Sequence, residues 1–125
     1  MAKILVAEDE RDIRDLIAFS LNYGGFEVTV TNDGNEAVEK AQQDTFDLIL
    51  MDVRMPRMTG YEACRKLKGI DKTRNIPIVF LSAKGQDTEI KQGIESGAVD
   101  YILKPFAPDQ LIKQIKVILA QHGTT

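Results

Sequence analysis

Three stretches of the chain are unbroken apolar runs of strand length: Ile4-Leu5-Val6-Ala7, Leu48-Ile49-Leu50-Met51 and Ile76-Pro77-Ile78-Val79-Phe80-Leu81. A run of this kind leaves no face for water, so each is predicted to be a strand covered on both sides. Pro77 has no N–H to give a ladder and is tolerated only near the beginning of its strand. Two further segments carry polar residues inside them. Phe26-Glu27-Val28-Thr29-Val30-Thr31 alternates as a half-buried strand does, and Val99-Asp100-Tyr101-Ile102-Leu103 is partly polar. These two are predicted to be edge strands.

Between the strands the period changes to that of a helix. Ile13, Leu16, Ile17 and Leu21 are spaced for one buried face, preceded by Glu8-Asp9-Glu10 and followed by Gly24-Gly25. Acidic residues suit the positive end of a helix dipole, and glycine suits its stop. Asn32-Asp33-Gly34 turns the chain into a second helix carrying Ala37, Val38 and Ala41. Pro56 and Gly60 keep the third strand from continuing, and a helix over about residues 59–68 follows. Residues 86–96 read as a weak helix, with Ile90 and Ile94 as its large apolar anchors. Gly93 within it costs about 1 kcal/mol against alanine. Pro108 and Asp109 open a last helix whose Leu111, Ile115 and Leu119 share a stripe, with Lys113 and Lys116 off it. One domain is expected over residues 1–121, with residues 122–125 a fraying tail that contains His122.

Five strands alternating with five helices define an α/β fold, a parallel sheet with helices on both faces. The unbroken runs belong at the centre and the polar ones at the edges. Right-handed crossovers and a flavodoxin-like five-stranded parallel sheet of order 2-1-3-4-5 satisfy both conditions. The topological switch then lies between strands one and three, in a crevice bordered by Glu8-Asp9 and by Asp52.

Composition narrows the function classes. With 125 residues, 43% of them hydrophobic and 28% charged, the chain is of the size and character of one globular domain. A net charge of −3 argues against a nucleic-acid surface, because phosphate backbones need a basic field. No apolar run approaches the ~20 residues of a membrane span, and the first residues do not read as a charged-then-apolar leader. The single Cys64 excludes an internal disulfide and fits a reducing compartment, so a cytoplasmic location is expected. Its helical spacing with Tyr61 and Leu67 makes it a packed residue rather than a reactive thiol.

The chemistry gathers at the C-terminal strand ends, which carry Glu8, Asp9, Asp52, Ser82 and Lys104. Two carboxylates ~4 Å apart repel by about 4 kcal/mol at an effective dielectric near 20. Three together need a proton, Lys104 or a bound cation. Hard oxygen ligands suit Mg²⁺, whereas zinc would want His or Cys. A divalent ion beside an acid nucleophile, a lysine and a hydroxyl is equipment for phosphoryl transfer onto Asp52. Solvated strand-end charges with no shared role would not fall together on the one rim where α/β sheets place their ligands.

The pieces Ile4-Leu5-Val6-Ala7-Glu8-Asp9-Glu10, Asp52-Val53-Arg54-Met55-Pro56-Arg57-Met58-Thr59-Gly60, Leu81-Ser82-Ala83 and Lys104-Pro105-Phe106, in this order and at these separations, resemble the receiver domain of two-component response regulators. The resemblance covers essentially the whole chain. It implies that Asp52 accepts phosphate from a phosphohistidine of a sensor histidine kinase or phosphotransfer protein. Glu8, Asp9 and Asp52 would hold Mg²⁺, with the backbone carbonyl of Arg54 as a further ligand. Ser82, the Ala83 backbone N–H and Lys104 would hold the phosphoryl oxygens. Lys104-Pro105 would be a cis peptide, and Tyr101 would change rotamer as Ser82 moves toward the phosphate. Such a domain is a switch that catalyses only its own phosphorylation and dephosphorylation. Thr59 stands where many receivers have Asp, and Arg54 and Lys84 place cations at the pocket mouth.

Other classes make different demands. A flavodoxin-type mononucleotide binder needs a phosphate-cradling loop after strand one, where this chain has Glu8-Asp9-Glu10. A haloacid-dehalogenase-type phosphatase wants a second acid two residues after its nucleophile, where this chain has Arg54. A degenerate receiver used only for binding would lack some of the active-site side chains. The weak fourth helix leaves directly from the Ser82 loop. The output surface is therefore expected on helix four, strand five and helix five, read by a downstream protein or a second copy, with Lys91, Lys113 and Lys116 as candidate contacts. The sequence ends just after the fifth helix, which fits a stand-alone regulator, a phosphorelay shuttle or the front of a longer protein.

Overall fold

The computed structural model describes residues 1–83 and 87–122. In chain order the elements are β1 (Lys3–Ala7), α1 (Arg11–Tyr23), β2 (Glu27–Thr31), α2 (Gly34–Gln43), β3 (Leu48–Asp52), α3 (Gly60–Lys68), β4 (Ile78–Ala83), α4 (Asp87–Ser96), β5 (Asp100–Lys104) and α5 (Pro108–His122). All strand pairs are parallel and the sheet order is β2-β1-β3-β4-β5, as the apolar pattern requires. β4 starts at Ile78, so the missing N–H of Pro77 stays outside the ladder while its carbonyl still accepts from Ile49 N–H at 3.0 Å.

The period of two in each strand divides the core into two layers. Leu5, Ile49, Met51, Ile78 and Phe80 pack with Ala37, Ala41, Tyr61, Cys64 and Leu67 of α2 and α3. Ile4, Val6, Leu48, Leu50, Val79, Leu81 and Ile102 pack with Ile17 and Leu21 of α1 and Leu111, Ile115 and Leu119 of α5. Cys64 is fully buried, and its thiol donates to the Ser96 carbonyl at 3.4 Å.

Two helices differ from the sequence reading. In α1 the buried line runs through Ile17 and Leu21 and takes in Ser20, whose hydroxyl donates to Leu16 O at 2.7 Å. Leu16 itself is 43% exposed, because the helix is rotated away from it. In α4, Ile94 is 60% exposed rather than an anchor. Gly93 takes that part instead. It lies against Phe80, which meets Tyr61 edge to face with ring centroids 5.3 Å apart. A Cβ on Gly93 would come within 2.9 Å of Phe80 Cδ2. Gly93→Ala is therefore expected to destabilise the fold by about 1–3 kcal/mol, reversing the helix-propensity gain; equilibrium urea unfolding gives the sign. Gln86, expected to open this helix, lies outside the described residues, as does Lys84. The last helix takes in His122, which the sequence reading gave to the tail, and residues 123–125 lie outside the described residues.

Candidate functional site

The two-layer alternation also builds the site. Ile4 and Val6, Leu48 and Leu50, and Ile102 all point toward α1 and α5. Two residues further along each strand, the same parity turns Glu8, Asp52 and Lys104 to that side at the C-terminal rim. There the Lys104 ammonium donates to Glu8 Oε1 at 3.0 Å and to Asp52 Oδ2 at 2.8 Å. Glu8 is fully buried and Asp52 nearly so. Their other oxygens are also held, Glu8 Oε2 by the Glu10 N–H and Asp52 Oδ1 by the Arg54 N–H, each at 3.2 Å. Asp9 is exposed at the mouth, and carboxylate oxygens of Glu8, Asp9 and Asp52 lie within 4.8 Å of one another.

The loop after β3 holds Asp52 from behind. The Gly60 N–H donates to Val53 O at 2.9 Å, and a Cβ at this position would run into the Asp52 backbone carbonyl. Only glycine permits that approach. Thr59 and Glu62 form a capping box that starts α3 beside it: Thr59 N–H donates to Glu62 Oε1 at 3.0 Å and Glu62 N–H to Thr59 Oγ1 at 3.2 Å. Arg57, exposed in the same loop, has φ of 69°.

Burial and the neighbouring Asp52 push the Glu8 carboxyl up from 4.5 to about 7, while Lys104 and the Glu10 N–H pull it down. Burial works to lower Lys104, but its contacts to Asp52 and Glu8 outweigh this and hold the ammonium above its usual range. Three carboxylates share one ammonium, so the cluster retains negative charge. Its donors are all oxygen, the set that suits a small hard cation such as Mg²⁺.

The remaining predicted residues fall at the same rim. Asp52 is opposite Leu81 in the β3–β4 ladder, so Ser82 and Ala83 stand one and two residues beyond it. Ser82 is buried, and Ala83 is opposite Lys104 across the β4–β5 ladder. The Lys104-Pro105 peptide is cis. Tyr101 is half-buried and opposite Phe80. Arg54 is exposed, whereas His122 is remote, lining a surface hollow with Phe46, Lys72 and Pro77 at the other end of the sheet. Two residues the sequence reading did not single out also touch this rim, Arg14 and Thr31. The contacts of Thr31 depend on the β1–β2 register, and that of Arg14 on how α1 leaves the end of β1; no local motif announces either.

A family model described as the response regulator receiver domain matches residues 4–116. The phosphate regulon transcriptional regulatory protein PhoB of Escherichia coli (strain K12) is 39% identical over 117 residues, which are 94% of this chain and 51% of that protein. The chain thus spans about half the length of such relatives. Among solved structures, the chemotaxis protein CheY4 of Vibrio cholerae superposes with a TM-score of 0.91 at 35% identity, covering 95% of this chain and 99% of that one. The receiver domain of the sensor histidine kinase PA1611 of Pseudomonas aeruginosa, solved with a magnesium ion coordinated in its active site cleft, gives 0.85 at 31% identity over 97% of this chain and 96% of that one.

Proposed function

This chain belongs to the response regulator receiver domain family, and from that premise we propose that Asp52 is its phosphoacceptor, loaded by the phosphohistidine of a sensor histidine kinase or phosphotransfer protein. The observation that carries the reading is Lys104 Nζ at 2.8 Å from Asp52 Oδ2 and 3.0 Å from the buried Glu8. An ammonium so placed orients the Asp52 carboxyl at the rim and offers a cation to incoming phosphoryl oxygens.

In the transfer an Asp52 carboxylate oxygen bonds to phosphorus as the bond from phosphorus to the donor imidazole breaks, and the imidazole nitrogen keeps the electron pair. Lys104 turns from its carboxylate partners toward the phosphoryl group. The Ser82 hydroxyl and the Ala83 backbone N–H donate to its other oxygens. Glu8, Asp9, Asp52 and the Arg54 carbonyl would hold Mg²⁺, which when bound would supply positive charge for the phosphoryl oxygens. The magnesium in the PA1611 receiver supports this assignment. The other classes fit less well. A buried Glu8 with Asp9 beside it would repel a mononucleotide phosphate, and Arg54 is not the second acid a haloacid-type phosphatase needs. The receiver unit runs to the end of α5 at His122.

The test is uptake of one phosphoryl group from acetyl phosphate, read by intact mass. Uptake is expected with Mg²⁺ and not with EDTA. No uptake from acetyl phosphate or from a phosphorylated histidine kinase would overturn the reading.

The output surface is the face of α4, β5 and α5, offered to a downstream protein or a second copy. Lys91, Lys113 and Lys116 are exposed there, as are the apolar Ile94, Leu103 and Val117. Tyr101 turns inward as Ser82 moves toward the phosphate. Hydrogen exchange with and without beryllofluoride is expected to change protection mainly over residues 82–103. A response confined to α1 would place the output elsewhere.

A further inference from the structure

We propose that Thr31 and Arg14 are positioning residues for the cation-binding carboxylates Glu8 and Asp9; this rests on reading Glu8, Asp9 and Asp52 as a divalent-cation site. Thr31 ends β2 opposite Ala7, the residue before Glu8. It is buried, and it grips β1 on both sides of that alanine. Its hydroxyl donates to Val6 O at 2.8 Å, and its own carbonyl accepts from the Glu8 N–H at 3.2 Å. Arg14, one turn into α1, donates from Nη1 to the Glu8 carbonyl at 3.1 Å. Both backbone polar groups of Glu8 are therefore fixed by these two residues.

The Glu8 carbonyl belongs to the peptide that leads into Asp9, so the bond from Arg14 sets the direction in which Asp9 leaves the strand end. The bonds from Thr31 set the depth at which Glu8 stands beside Lys104. A small hard cation demands near-ideal octahedral oxygen geometry, so errors of a few tenths of an ångström in these two residues are felt in affinity. Groups that orient ligands are worth about 10–100-fold in metal affinity.

Thr31→Val keeps the shape and removes the hydroxyl; Thr31→Ser keeps the hydroxyl. Mg²⁺ alone is titrated by calorimetry, and melting is followed at each Mg²⁺ concentration. Thr31→Val is expected to weaken Mg²⁺ about tenfold, with Thr31→Ser restoring the parent affinity. A hydroxyl that serves only the fold would lower the melting temperature equally at every Mg²⁺ concentration and leave the dissociation constant unchanged, which overturns the proposal. If Thr31→Val does not fold, Arg14→Met decides. Loss of a positive charge near an acidic cluster would by itself tighten Mg²⁺, so weaker binding supports positioning, and tighter or equal binding overturns it. A parent protein indifferent to Mg²⁺ would overturn the cation-site reading, and this inference with it.

Discussion

Asp52→Asn is expected to take up no phosphoryl group from any donor, against one for the parent, and to do so without losing its fold. The amide has the volume of the carboxylate, and its oxygen can still accept from the Arg54 N–H. What it lacks is the anionic oxygen that must bond to phosphorus. The substitution also removes one of the two buried acids served by Lys104. Glu8 then has that ammonium to itself and loses the repulsion from Asp52 that helps hold it high. Stability without Mg²⁺ is therefore expected to be equal to the parent's or greater, and the stabilisation by Mg²⁺ to be smaller. Intact mass and a thermal melt on the same sample make the check. Labelling that persists in the Asn variant would remove Asp52 from its role, and labelling lost together with the fold would leave the nucleophile unidentified.

Lys104→Met is expected to make the protein strongly pH-dependent. In the parent the Glu8 carboxyl is raised from 4.5 to about 7 in the fold. The folded protein therefore holds this proton more tightly than the unfolded chain does. The resulting stability is fully present below the unfolded value and is lost as pH rises through about 7, by at most about 3 kcal/mol. Lys104 is one of the two groups that pull Glu8 down. Without it the carboxyl rises further, and the loss continues above neutrality. At pH 8 the variant should be less stable than the parent by about 3 kcal/mol, the scale for an uncompensated buried charge. At pH 5 the deficit should shrink, because Glu8 is then protonated in both proteins. Urea unfolding in EDTA at the two pH values measures this. A deficit of equal size at both would mean that Lys104 acts through packing alone.

The parts of the fold that were legible in the sequence are those in which one residue reports its own surroundings. β1, β3 and β4 are covered on both faces, so their apolar runs stood out, and the polar residues in β2 and β5 marked the edges. Asp52 was legible because it sits where such a run stops, and Lys104 because it ends the fifth strand just before Pro105. Leu16 was misplaced because helical spacing gives the width of an apolar stripe but not the angle at which the helix is set down. Gly93 looked like a weakness because propensity knows nothing of Phe80, thirteen residues earlier and on a strand. Thr31 was silent for a similar reason: its partners, Val6 and Glu8, come from a neighbouring strand. No helix among the described residues is long and apolar enough to cross a membrane.

The shared parity of core and site has a consequence for how this domain tolerates insertions and deletions. Leu48, Leu50 and Asp52 occupy alternate positions on β3, and Glu8, just past the end of β1, continues the alternation of Ile4 and Val6. Shifting β3 by one residue would turn Asp52 away from Lys104, and the same shift would exchange every residue of that strand between the two layers. The core thus proofreads the pocket: a slipped chain loses its packing along with its chemistry. Single-residue deletions between α2 and β3 should accordingly surface in a screen as missing protein, degraded before it can accumulate, rather than as a well-folded but silent domain.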